Sequence, residues 1–107
     1  MRAPSELFSV RAGDSNGSAH LRLTGRFDSA AIPALDHAIG DVHGRDVTLD
    51  LSGITFMDGA AWLAVMACEH RVQDWGNTFR LENARGRIRK IFELTETEYL
   101  LSEVVSR

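Results

Sequence analysis

The stretch from residue 47 to residue 75 constrains the fold more than any other part of the sequence. Residues 47–57 are mostly β-branched or apolar, which favours a central strand with a break at Ser52-Gly53. Asp58-Gly59 ends this strand, and the good helix formers that follow continue to about residue 73 or 75. A strand that runs through an Asp directly into a helix is typical of α/β proteins.

The N-terminal part predicts a hairpin and a helix. Apolar and polar side chains alternate in residues 7–10 and 19–25, and the turn formers between them favour an antiparallel pair of strands. Asp28-Ser29 then precedes apolar residues at helical spacing. This pattern predicts a helix that begins between residues 30 and 32 and ends at Gly40.

The C-terminal part continues the alternation of strands and helices. A strand is predicted at residues 78–82 and a helix at residues 85–94, with basic side chains in the first half of that helix. Basic residues near a helix N-terminus oppose the helix dipole, which costs some stability and indicates an acidic neighbour. Residues 99–105 predict a short strand followed by a helical turn.

The predicted element order is ββαβαβα followed by a C-terminal tail. Strands that alternate with helices in the second half imply parallel neighbours with right-handed crossovers, beside the antiparallel N-terminal pair. A chain of 107 residues has room for one hydrophobic core, so residues 1–107 are predicted to form a single α/β domain.

Composition narrows the classes of function. The formal net charge of −3 gives no basic field for a phosphate backbone, so we expect no nucleic-acid partner. The single cysteine, Cys68, excludes an internal disulfide and is expected to be buried and inert. The N-terminus has no apolar signal sequence, and no apolar run approaches the roughly 18 residues that span a bilayer. We therefore expect a cytoplasmic protein without direct membrane insertion.

The sequence contains no recognisable catalytic or metal-binding motif. None of the four histidines has metal-ligand spacing, and no GxSxG, Walker or GxGxxG motif occurs. We therefore predict no catalytic residue, no metal site, no cofactor and no enzymatic activity.

The turn at Asp58-Gly59 is the strongest candidate site. Asp58 can cap the N–H groups that lack a partner at the start of the helix, and Gly59 lets another surface approach the backbone closely. The partial positive charge of the helix N-terminus also suits a phosphate or carboxylate. A helix cap with no further role explains the same residues.

Two motifs resemble those of STAS domains, the anti-sigma factor antagonist family. Residues 47–58 read Val-Thr-Leu-Asp-Leu-Ser-Gly-Ile-Thr-Phe-Met-Asp and are similar to the family's signature stretch. Residues 23–28 are similar to its earlier motif, a strand that ends in Gly, any residue, a hydrophobic residue and Asp. The resemblance implies a STAS-like mixed β-sheet of about four to five strands flanked by helices.

The resemblance also implies a function. In bacterial signalling members, an anti-sigma factor kinase phosphorylates a serine directly after the signature Asp, and the unphosphorylated form binds that anti-sigma factor. Here Gly59 occupies the phosphoacceptor position and has no oxygen to phosphorylate. The domain is therefore expected to bind its partner constitutively or to be phosphorylated elsewhere, at Thr55 or Ser29. The alternative is an accessory subunit of a larger complex, such as a lipid-transport ATPase or a stressosome-like assembly.

We predict a site for an anti-sigma factor, a serine-kinase-like protein or another protein subunit. Six residues are expected to border it: Asp28, Thr55, Asp58, Gly59, Ala60 and Trp62. Asp28 should lie beside Asp58, because both residues begin helices at the same edge of the sheet. Phe56 is expected in the core.

Overall fold

The computed structural model describes residues 7–101, which form a mixed sheet with helices. In chain order the elements are β1 (Ser9–Ser15), β2 (Ser18–Phe27), a 3-10 turn (Ser29–Ala31), α1 (Ile32–Asp41), β3 (Val47–Met57), α2 (Gly59–Asp74), β4 (Phe79–Glu82), α3 (Gly86–Leu94) and a 3-10 turn (Glu98–Leu100). The predicted order ββαβαβα is confirmed.

The sheet has the strand order β1-β2-β3-β4. β1 pairs with β2 in the antiparallel sense, whereas β2–β3 and β3–β4 are parallel. This is the predicted mixed sheet, with four strands among the described residues. In the predicted tail, Leu101 forms an isolated parallel bridge with Leu81. The predicted helical turn at residues 104–105 lies outside the described residues.

One face of the sheet carries the core. Val47, Leu49 and Leu51 of β3 are buried, while the residues between them point to the opposite, polar face. All three helices contribute to the same cluster of buried side chains, for example through Leu35 of α1 and Phe92 of α3. No helix within residues 7–101 is long and apolar enough to cross a membrane.

β3 does not break at Ser52-Gly53 but continues through two irregularities to Met57. Where β2 advances from Arg22 to Thr24, β3 advances from Asp50 to Gly53, so β3 carries an extra residue. A Cβ on Gly53 would lie 2.6 Å from Cγ2 of Thr24, and only glycine allows this approach. The predicted break is therefore a β-bulge.

The second irregularity of β3 decides which side chains reach the surface. Gly25 pairs with Ile54 and Arg26 with Phe56, which leaves Thr55 as the extra residue. Thr55 and Phe56 are consequently both exposed, and Met57 returns to the core. The expectation that Phe56 belongs to the core is wrong, because the bulge shifts the alternation of β3 just before it.

The helices begin close to their predicted positions. Pro33 lies in the first turn of α1, where its missing N–H costs no hydrogen bond. Ala61, Val65 and Cys68 form the buried stripe of α2, as their spacing indicates. In α3 the last residue, Leu94, is exposed.

Candidate functional site

The candidate site lies where the neighbouring parallel strands β2 and β3 end. Phe27, the last residue of β2, pairs with Met57, the last residue of β3. Asp28 and Asp58 are the next residues on the two strands, and each is followed by a helical segment. The expectation that these two aspartates begin helices at the same edge of the sheet is therefore met.

Asp58 is the N-cap of α2. Its backbone is extended, and its Oδ1 accepts a hydrogen bond from the N–H of Ala61 at 3.0 Å. This bond satisfies one of the donors that have no partner within the helix. Gly59 is exposed, and a Cβ built on it would meet no atom within 4 Å. The turn therefore presents open backbone to solvent and has space for a side chain at residue 59.

Asp28 is held by two hydrogen bonds. Its Oδ1 accepts from the N–H of Ala30 at 3.0 Å, and its Oδ2 accepts from Nε of Arg26 at 3.0 Å. The guanidinium of Arg26 in turn lies 3.9 Å from the centre of the Phe56 ring, a cation–π contact. Sequence reasoning missed Arg26, because this contact depends on the register that pairs residues 26 and 56 across β2 and β3.

Trp62 and Ala60 form the helix side of the site, and both are half-buried. Nε1 of Trp62 donates a hydrogen bond to Oγ1 of Thr97 at 3.1 Å, and the Trp62 side chain packs against the core. Trp62 therefore joins the first turn of α2 to the segment that follows α3. Leu63, the next residue, is 62% exposed.

Thr55 and Ser29, the two hydroxyl residues predicted as alternative phosphosites, are both exposed. Thr55 is the extra residue of the second β3 irregularity. Ser29 is the first residue of the 3-10 turn that follows Asp28 in the chain. Phe56 is 37% exposed beside Thr55. The edge of the sheet thus carries an exposed aromatic ring next to the exposed hydroxyl residue Thr55.

A cavity of about 310 Å³ extends the site toward α3. Its lining residues come from the end of β3 and from α3: Thr55, Phe56, Met57, Arg87, Ile88 and Ile91. No local pattern in the sequence indicates this cavity, because it forms between two elements that are distant in the chain.

The acidic side chains of the site are already engaged in hydrogen bonds within the domain. Within residues 7–101, no group of three His, Cys, Asp or Glu side chains could hold a metal ion. The carboxylates of Asp28 and Asp58 are both engaged in helix caps. Cys68 is buried as predicted, and burial raises the pKa of its thiol to about 12, which leaves it protonated and unreactive at neutral pH.

The sequence matches the family described as "Mlab, STAS domain" over residues 10–102. The chain belongs to the STAS domain family. The resemblance of residues 23–28 and 47–58 to the STAS motifs is thereby confirmed. No curated protein matches the sequence.

Solved structures with this STAS fold include the following three. An anti-sigma factor antagonist from Mycobacterium paratuberculosis has a TM-score of 0.82 and 23% identity, covering 98% of this chain and 92% of its own. The anti-sigma factor antagonist SpoIIAA in its unphosphorylated form has a TM-score of 0.76 and 15% identity. The match covers 94% of this chain and 90% of SpoIIAA. The Bacillus cell fate determinant SpoIIAA in its phosphorylated form has a TM-score of 0.71 and 16% identity. The match covers 94% of this chain and 93% of SpoIIAA.

Proposed function

We propose that this STAS domain is a non-catalytic regulatory module of the anti-sigma factor antagonist type. It binds an anti-sigma factor or a related kinase-like protein through the turn at Asp58. The names of the structural relatives support this proposal, since two of them are anti-sigma factor antagonists. We expect the protein to act in the cytoplasm together with such a partner.

The observation that carries the proposal is the exposed turn at Asp58-Gly59 with an aromatic ring beside it. Phe56 remains 37% exposed and is covered on one side by Arg26, which Asp28 holds in place. Aromatic and arginine side chains are enriched at the centres of protein interfaces. Because hydrogen bonds already fix the polar groups around the ring, the side chains of this domain would lose little conformational entropy when a partner binds there.

Phosphorylation at residue 59 cannot control this binding, because Gly59 has no hydroxyl group. SpoIIAA, by contrast, is known in both unphosphorylated and phosphorylated forms. We therefore propose constitutive binding. Thr55 and Ser29 are the alternative phosphosites, and both are exposed. Intact-mass spectrometry after incubation with the partner kinase and ATP tests this point: a stoichiometric phosphate on either residue would rule out constitutive binding.

The test of the function begins with co-purification from native cells and identification of the bound protein. Titration calorimetry then compares wild type with Asp58→Lys and Gly59→Glu. We expect each substitution to weaken binding at least about tenfold, equivalent to roughly 1.4 kcal/mol. The free domain has room for the new side chain at residue 59.

Ala67→Glu is the matched control for Gly59→Glu, because it adds the same charge at an exposed position of the same helix. We expect it to bind like wild type. If folded Asp58→Lys and Gly59→Glu also bind like wild type, the site is assigned to the wrong surface.

A second candidate is an accessory STAS subunit of a larger complex, such as a lipid-transport ATPase or a stressosome-like assembly. The observation that favours it is the family description, which names Mlab, together with the absence of a phosphoacceptor at residue 59. The co-purified protein separates the two candidates: an anti-sigma factor supports the first, and transporter or assembly subunits support the second.

A further inference from the structure

The N-cap and the first half of α3 carry three exposed cations. Arg85, Arg87 and Lys90 are exposed, and none of them forms an ion pair with an Asp or Glu within residues 7–101. Arg89 differs, because its Nε lies 3.0 Å from Oε2 of Glu93. The described part of the chain therefore does not neutralise this positive surface.

Two of these cations, Arg85 and Arg87, are placed where they cost stability. Arg85 occupies the N-cap position of α3 and makes no capping hydrogen bond through its side chain, and the first turn has no acidic residue. Positive charge at a helix N-terminus is repelled by the helix dipole. An acidic side chain of another molecule, bound at the start of α3, would offset this repulsion and form ion pairs with the arginines.

The same surface contains the apolar cavity between β3 and α3. Met57, Ile88 and Ile91 supply apolar lining, and Arg87 lies at the cavity as well. A volume of about 310 Å³ is ample for one large apolar side chain. An apolar cavity beside unpaired cations is complementary to a segment that carries both an apolar side chain and carboxylates.

We propose that this α3 cleft, formed by Phe56, Met57, Arg87, Ile88 and Ile91 with Arg85 and Lys90 beside it, binds an acidic segment of the protein partner. An apolar side chain of the segment fills the cavity, and flanking Asp or Glu side chains pair with the cations. The inference rests on the proposed function, because the segment belongs to the partner that contacts Asp58. Thr55 and Phe56, which lie at the end of β3 beside the Asp58 turn, also line the cleft, and both are exposed.

The first test needs no partner. The isotope-labelled domain is titrated with a synthetic peptide in which leucines are flanked by glutamates, and the amide signals are followed by NMR. We expect the signals of Met57, Ile88 and Ile91 to shift, and we expect a peptide with lysines in place of the glutamates to leave them unchanged. If the acidic peptide shifts none of these signals, the inference is wrong whatever the partner proves to be.

The second test uses the co-purified partner. Arg87→Glu combined with Lys90→Glu should weaken binding at least about tenfold. Wild-type binding should also weaken as salt rises, more steeply than binding of the double variant. Arg11→Glu combined with Arg80→Glu is the control, because it makes the same change of charge at exposed residues of β1 and β4.

The outcomes separate the two proposals. If Asp58→Lys abolishes partner binding and the α3 double variant binds like wild type, the cleft is excluded and the proposed function stands. If wild type binds no protein partner yet binds the acidic peptide, the proposed function fails, and only the preference of the cleft for acidic segments stands. Binding of duplex DNA that Arg87→Glu abolishes, without any response to the acidic peptide, would assign the cations to nucleic acid and overturn the inference.

Discussion

The N-termini of α2 and α3 follow adjacent parallel strands but are built in opposite ways. Asp58 caps α2 with a 3.0 Å hydrogen bond, whereas Arg85 occupies the same position of α3 and makes none. α3 also begins with Gly86 at φ +56°, a conformation that favours glycine. The residues at the start of α2 thus stabilise that helix. Those at the start of α3 stabilise it less, and they place positive charge at the surface.

The largest effect expected from this comparison concerns Trp62, which connects the first turn of α2 to the segment after α3. Trp62→Ala should lower the free energy of unfolding by about 2–3 kcal/mol, because it removes a large half-buried side chain and its hydrogen bond to Thr97. Chemical denaturation measures the change. Trp62→Phe keeps most of the packing but loses the hydrogen bond, and should cost about 1 kcal/mol. An equal loss of stability in both variants would contradict the expectation that packing contributes more than the hydrogen bond.

Removal of the α2 cap should have the next largest effect. Asp58→Ala should lower the free energy of unfolding by about 1 kcal/mol, because the N–H of Ala61 loses its acceptor. For a domain of this size the melting temperature should fall by about 4–8 °C. Asp58→Asn preserves a capping oxygen and should melt close to wild type. A large fall in the melting temperature of this control would show that the charge of Asp58 stabilises α2 more than its capping hydrogen bond does.

The opposite change at α3 should increase stability. Arg85→Asp supplies a capping oxygen and removes a charge that the helix dipole repels, so we expect a gain of up to about 1 kcal/mol. The same variant should bind the acidic peptide more weakly, which thermal melting and peptide titration measure on one sample. A variant that is less stable than wild type would show that Arg85 has a structural role.

The smallest effect is expected from Asp50, which accepts hydrogen bonds from the side chain of Asn83, ahead of α3, and from the N–H of Ser52. Burial tends to raise the pKa of Asp50, but these hydrogen bonds and one from His20 outweigh it and lower the pKa below the ordinary 3.8. The folded state therefore holds this proton less tightly than the unfolded chain.

The contribution of Asp50 to stability should consequently be complete above about pH 5, well above the unfolded pKa, and be lost as the pH falls through the lowered pKa. Acid unfolding followed by circular dichroism measures this loss. Asp50→Asn should show a shallower decline of stability between about pH 5 and pH 2. An identical pH profile for the variant would contradict the assigned pKa shift.

Local signals predicted most of the fold. The caps at Asp28 and Asp58 and the apolar stripe of α2 act within a few residues, so the sequence alone located both helix starts. The two β3 irregularities depend on the register with β2, which no local pattern reveals. For that reason the exposure of Phe56 and its contact with Arg26 were not predicted.

The site was predicted only in part for the same reason. Asp28 and Asp58 could be placed together, because the ends of parallel neighbouring strands meet at one edge of a sheet. The cavity between β3 and α3 requires the packing of two distant elements, and its lining was therefore not predicted. The basic half of α3 was noticed in the sequence, but its position beside an apolar cavity required the structure.

The central claim is that the turn at Asp58 binds a protein partner without a phosphate switch at residue 59. Its most direct test measures partner binding with and without prior incubation with the anti-sigma factor kinase and ATP, for wild type and for Gly59→Ser. We expect wild type to bind equally well in both conditions. Gly59→Ser, which the open space at residue 59 accommodates, should gain a phosphate and lose affinity. Loss of wild-type binding after incubation with ATP, or full binding by phosphorylated Gly59→Ser, would contradict the claim.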